Sequence, residues 1–308
     1  MEKGKRVIRI ANAPVSYGVF ELARPDLVAL PGGEELARWI SEAGYQGIDL
    51  GPIGLLGRGQ ELTERLQRYG LELAGGWVDL PFAGDDEDFA QALMNLDGIL
   101  DVFVSAAETG PALGPLPTLA DSGSAERKAR PGGAAELTLH GDEWARFADR
   151  VNRATARVRS RGLEPTFHHH ACTYVETPEE IEALLAATDV GLTFDSGHLL
   201  IGGGDPLPDF RRWRHRINHL HLKDARTQIL REALQTDDPM RSVWEKRVFV
   251  PLGEGDLAVD ELMEEIVGSG YDGWLIVEQD VVPRSADEVD RAKTEQIANR
   301  EALRRWFA

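Results

Sequence analysis

The sequence predicts an α/β chain folded as one closed parallel (β/α)8 TIM barrel. Three observations carry this. Short apolar runs alternate with amphipathic helical stretches about eight times along the 308 residues. These units use up almost the whole chain, so residues 1–308 read as one domain, although about 150 residues per domain would suggest two. A doubly wound open sheet is the rival, but no glycine-rich phosphate fingerprint opens an early strand–helix unit.

The candidate strands in order are residues 6–14, 44–51, 71–81, 100–106, 163–170, 190–198, 217–224 and 274–280. Helical spacing of apolar residues marks EELARWISEAG, ELTERLQRYG, DEWARFADRVNRATARVRSRG, TPEEIEALLAATD and AVDELMEEIVGSG between them. Thr177-Pro178-Glu179-Glu180 supplies a cap, a first-turn proline and acids to one helix start. Gly44, Gly70, Gly162 and Gly270 each follow a helical run, as C-terminal caps do. Gly202-Gly203-Gly204 reads as a loop. Two segments break the rhythm, at about 110–138 and 225–256. Placed after the fourth and seventh strands, they are expected on the active-site face, as lids or as tolerated surface loops.

Composition limits the partners. Hydrophobic residues are 42% and charged residues 28%, ordinary globular values. The net charge of −18 argues against nucleic acid and anionic membrane. The single cysteine, Cys172, allows no internal disulfide and suits a reducing cytoplasm. It reads as a packing residue rather than a nucleophile. The basic N-terminal stretch lacks an adequate apolar region for a signal peptide, and no apolar run approaches 18 residues.

The later strands end in polar residues of one kind. The fifth ends in His168-His169-His170, the sixth in Asp195 with His198 three residues on. The seventh carries His219, His221 and Lys223, and the eighth ends in Glu278. In a parallel barrel these ends meet on one face. Imidazoles and carboxylates together suit a divalent ion such as Mn, Co, Zn, Fe or Mg. Alternation puts His168 and His170 on one face of the strand and His169 on the other, and likewise pairs His219 with His221. Each residue alone also has a bland reading: a structural histidine, a helix cap at Asp195, a salt bridge for Glu278 or for Lys223 with Asp224. Trp77 at the third strand end reads as core packing or as a wall for a substrate ring. Asn12 and Glu108, read as ending the first and fourth strands, are further candidates for binding hydroxyls.

At these residues the chain resembles the sugar phosphate isomerase/epimerase superfamily, the xylose isomerase-like TIM barrels, and within it the inosose dehydratases. GYQGIDLG, HHHACTYVETPEE, FDSGH, HLHLKD and VPLGEGDL followed by YDGWLIVEQD carry the resemblance, which covers nearly the whole chain. It implies metal ligation by His168, Asp195, His221 and Glu278, with His170 an alternative to His168. It implies substrate contact by His198. One departure matters. Isomerases and epimerases of the superfamily carry glutamate at the strand-five position, where this chain has His168, and Glu164-Pro165 comes too early to replace it. The resemblance therefore implies a metal-dependent hydro-lyase that eliminates water from an inosose-type cyclic ketone. The metal polarises the carbonyl. Glu278, His198 or His170 takes the α-proton, His198 or Lys223 serves the departing hydroxyl, and Lys223 orients substrate oxygens. The alternatives are a sugar or keto-inositol isomerase or epimerase, and a lyase acting on 3-keto-glycosides. A binding protein without catalysis, or an endonuclease-IV-like repair barrel, fits the charge and the ligand count less well. Homo-oligomers, and the glutathione requirement of inosose dehydratases, are expectations by resemblance alone.

Overall fold

The computed structural model describes residues 7–307, so Arg6 of the first expected strand lies outside it. Eight parallel strands close a barrel: β1 (Ile8–Asn12), β2 (Gly47–Asp49), β3 (Glu72–Leu80), β4 (Leu116–Asp121), β5 (Thr166–His168), β6 (Gly191–Asp195), β7 (Ile217–Leu222) and β10 (Gly273–Val277). They neighbour one another in chain order, and β10 closes onto β1 through the register Ile8↔Gly273 to Asn12↔Val277. Between β7 and β10, β8 (Asp224–Ala225) and β9 (Phe249–Val250) form a separate antiparallel pair.

The helices lie outside, and their apolar faces cover the outward residues of the strands in one continuous core that includes Ile48, Leu73, Phe167, Phe194 and Leu275. Inside, the base of the barrel is closed by the fully buried Trp274 with Ala11, Ala74 and Ile276. That plug depends on Gly47, where a Cβ would sit 2.6 Å from the indole. Above it the lining turns polar: Thr118, Thr166, Thr193 and His219 are all buried. The expected helix stops hold, with Gly44, Gly70, Gly162 and Gly270 all left-handed. The Thr177 cap is a full capping box with Glu180 on the helix Pro178–Ala187.

The fourth strand is elsewhere than expected. Residues 100–106 are the end of one long helix, Asp86–Ala107. Leu96, Leu100 and Phe103 recur at helical spacing and are buried, so the apolar run continues a helix face. The true strand, β4, was concealed by Pro117 within it. By length and composition this helix is long and apolar enough to cross a membrane (mean hydropathy 1.2). Here it connects β3 to β4 on the barrel exterior.

The correction shrinks the first insertion to the segment after β4. It carries the short helix Ala125–Lys128, whose Arg127 is fully buried and ion-paired with Glu180. The second insertion is a folded cap. Its helices Thr227–Ala233 and Pro239–Glu245, with β8 and β9, build an apolar cluster of their own around Leu230, Val243, Trp244 and Phe249. Asp224 anchors its base by accepting from the N–H groups of Ala225, Gly253, Gly255 and Leu257 at 2.8–3.0 Å. Asp224 is thus committed to backbone and is not the partner of Lys223.

Candidate active site

A cavity of about 510 Å³ opens at the C-terminal mouth of the barrel. Four strands bring His168, Asp195, His221 and Glu278 together there. Asp195 and His221 are register partners across β6 and β7, and the Glu278 N–H donates to Leu222 O at 3.1 Å, continuing the β10–β7 ladder. His168 Nε2 lies 3.3 Å from Asp195 Oδ2. His221 Nδ1 lies 3.6 Å from the same oxygen and 3.3 Å from Glu278 Oε2. Asp195 also caps the next helix, but with its other oxygen: Oδ1 accepts from the His198 N–H at 2.8 Å, leaving Oδ2 for the cluster. His169 faces away, as alternation requires, and its Nε2 accepts from the Asp195 N–H at 3.2 Å.

These residues fit a divalent ion. Asp195, His221 and Glu278 each bring a donor atom within 4.8 Å of the others, and His168 forms a second such group with Asp195 and His198. The separations of 3.3, 3.3 and 3.6 Å are near the roughly 3.4 Å between donors about 2.1 Å from a tetrahedral ion. Both ring nitrogens of the buried His221 lack a well-aligned hydrogen bond, as does His168 Nδ1. Charge agrees. Asp195, Glu278 and Asp280 crowd one ammonium, Lys223 Nζ, at 3.3, 2.9 and 2.8 Å. Three acids against one cation leave two charges, which a divalent ion balances.

Electrostatics sets the protonation states. Burial would lower His221, but the Glu278 and Asp195 carboxylates override it and raise the ring to about 10. A metal must displace that proton. Burial opposes the charge on Lys223, yet its three acids push it well above the usual lysine range. Burial would raise Glu278, but His221 and Lys223 hold it well below the carboxylate range. Desolvation holds His198 well below the usual histidine value and lowers His170 to about 4, so both are neutral.

His170 lies above His168 on the same side, as expected. Its Nδ1–H must donate to Ala171 O at 2.8 Å, so Nε2 carries a free lone pair. Its ring lies 3.7 Å from that of His198 between centroids, tilted by 41°, and meets Trp77 at 4.9 Å. His198 is fully buried, and its Nε2 accepts from Lys223 at 3.2 Å. Gly197 leaves room for this, since a Cβ there would meet the Lys223 stem at 2.6 Å. Trp77 is not core: it is 37% exposed and lines the cavity.

Two expected residues are not brought to the site. Asn12 is buried in the seam between β1 and β10, donating to Val277 O at 2.8 Å and Gln296 Oε1 at 3.0 Å. Glu108 caps the exterior helix Asp86–Ala107 and is exposed, because residues 100–106, the expected fourth strand, are helical. Glu164 is exposed and paired with Arg159, in keeping with its early place before β5. The cavity also holds residues that the sequence does not single out, Asp49, Asp79, Asp280 and Trp244 among them. Asp49 ends β2, while Asp79 and Asp280 each lie two residues past a recognised position, Trp77 and Glu278, where alternation alone would have found them. Trp244 comes from the cap, and nothing in its local sequence marks it.

A family model described as xylose isomerase-like TIM barrel matches residues 37–305. The chain is 32% identical over 295 residues to the rhizopine catabolism protein MocC of Rhizobium meliloti, covering 93% of this chain and 86% of that one. It is 28% identical over 300 residues to an inosose dehydratase of Geobacillus kaustophilus, covering 95% and 94%. Its fold matches the crystal structure of the IOLI protein with a bound zinc atom, at a TM-score of 0.65, 14% identity and coverage of 96% and 95%. The chain belongs to the xylose isomerase-like TIM barrel family.

Proposed function

We propose that this protein is a divalent-metal-dependent hydro-lyase that removes water from a polyhydroxylated cyclic ketone of the inosose type. The observation that carries the reading is the neutral His170, with its free Nε2 in the cavity lined by His168, His221 and Glu278, the last two clustered with Asp195 as metal-type donors. The relative named inosose dehydratase, similar along 95% of this chain, supports the reaction class.

His168, Asp195, His221 and Glu278 would hold the ion, which when bound supplies Lewis-acid polarisation of a carbonyl. His170 Nε2 takes the proton from the carbon next to the carbonyl. The hydroxyl on the following carbon departs, and His170 returns the proton to it, so that water leaves and the imidazole ends neutral. Lys223 keeps its proton, because its carboxylates hold it as an ammonium, and its positive charge beside the site favours the oxygen on which charge develops. Glu278 is held ionised by His221 and Lys223 and is therefore a poor base.

Elimination is favoured over epimerisation by the residue at the end of β5. A two-carboxylate proton shuttle needs an acid there; His168 occupies the place, and Glu164 is on the surface. The deciding experiment is an assay of metal-loaded protein with 2-keto-myo-inositol in deuterated water. Dione absorbance rising with time is expected. Deuterium entering the recovered ketone with no dione formed would replace the dehydratase by an epimerase.

A further inference from the structure

The far wall of the cavity holds residues that this reaction scheme does not use. Asp49 ends β2, and Trp77 and Asp79 lie two residues apart on the adjacent β3; all three line the cavity. Asp49 is only 7% exposed, and its one hydrogen bond among the described residues is a long one, 3.4 Å from the Gly51 N–H. An ionised carboxylate removed from water without a partner is costly, and such a group in a cleft marks a function. Asp79 is more open, with the Ser122 hydroxyl and the exposed Lys128 nearby. Trp77 leaves indole surface open between Asp79 and the histidines, meeting His168 and His170 edgewise at 5.5 and 4.9 Å.

Asp49 has a carboxylate oxygen within 4.8 Å of ring nitrogens of His219 and His221, and the exposed Lys128 stands near Asp79. Among the described residues Lys223 is the only lysine lining the cavity and no arginine does, and its ammonium is taken by Asp195, Glu278 and Asp280. An ion at the near wall balances the charge there, and the far wall keeps two carboxylates, Asp49 beside the His219 and His221 rings and Asp79 beside the surface Lys128. Ionised carboxylates accept from hydroxyl pairs, and an indole covers the C–H face of a ring. A phosphate or carboxylate on the substrate would face the same negative wall.

We propose that Asp49, Trp77 and Asp79 form the subsite for the far side of the substrate ring, and that this subsite restricts the substrate to an uncharged polyol. The proposal rests on the reading of the cavity as a polyol site but not on the reaction. Its test is calorimetric titration of the metal-loaded protein with myo-inositol and with myo-inositol 1-phosphate, neither of which is a ketone. Myo-inositol is expected to bind at least tenfold more tightly than the phosphate. Asp49→Asn, close to isosteric, is expected to weaken myo-inositol about tenfold and to narrow the ratio; Asp79→Asn should narrow the ratio alone. Equal or tighter binding of the phosphate, no binding of myo-inositol, or an unchanged ratio in a folded Asp49→Asn protein overturns it. Charge discrimination without any dione formation from the ketone would instead remove only the proposed reaction.

Discussion

The indole N–H of Trp244 donates to Asp280 Oδ2 at 3.1 Å, and through that carboxylate the cap reaches the active-site ammonium. Asp280 Oδ1 lies 2.8 Å from Lys223 Nζ, and the same nitrogen sits 5.0 Å from the centre of the Phe249 ring, also part of the cap. The second insertion therefore contributes Trp244 to the cavity and touches Lys223 through Asp280 and Phe249.

Trp244→Phe keeps the ring and removes the N–H. A hydrogen bond to a charged group is worth about 1.5–3 kcal/mol, so kcat/KM is expected to fall roughly 10- to 100-fold. Bound metal should stay at the wild-type level, because no metal-type ligand is touched. Unchanged kinetics would mean that the bond is idle.

His168 and His170 should separate metal binding from turnover. His168 Nε2 faces Asp195 Oδ2, whereas His170 has committed Nδ1 to a backbone carbonyl outside the cluster. His168→Ala is expected to lose bound divalent metal by elemental analysis. His170→Ala is expected to retain it and to lose turnover by roughly 10²–10⁴, the usual contribution of a positioned general base. The reverse result would exchange their roles.

Glu176 predicts a pH dependence of stability. It is fully buried, accepts from the N–H groups of Gly132, Gly133 and Cys172, and ties the segment after β4 to the loop after β5. Burial raises its carboxyl to about 7, against those bonds and Arg127. The folded form thus binds the proton more tightly than the unfolded chain does. Its contribution is present below the unfolded value near 4.5 and is lost as pH rises through about 7. Glu176→Gln removes this titration. Its unfolding free energy relative to wild type is expected to rise between pH 5 and 8, by roughly 2–3 kcal/mol. A difference constant with pH would show that Glu176 does not titrate in this range.

Read alone, the sequence determined the barrel and the wall that carries the metal-type ligands. Both are periodic features: helix faces repeat every three to four residues, and strand alternation assigns His168 and His170 to one side and His169 to the other. His168, Asp195, His221 and Glu278 stand at the ends of strands that are themselves legible, so their convergence follows from parallel closure. The same reasoning failed where local pattern and element type diverge, at residues 100–106, whose β-branched run is the tail of a helix, and at β4, hidden by Pro117. Glu108 was lost with that strand. Only the tertiary structure decided the rest. Asn12 turns into the seam with β10, Lys223 takes Asp280 and not its neighbour Asp224, and Trp244 arrives from 36 residues before its partner. These outcomes depend on which buried polar group finds a partner once the chain has closed, and that choice is made between segments far apart in sequence.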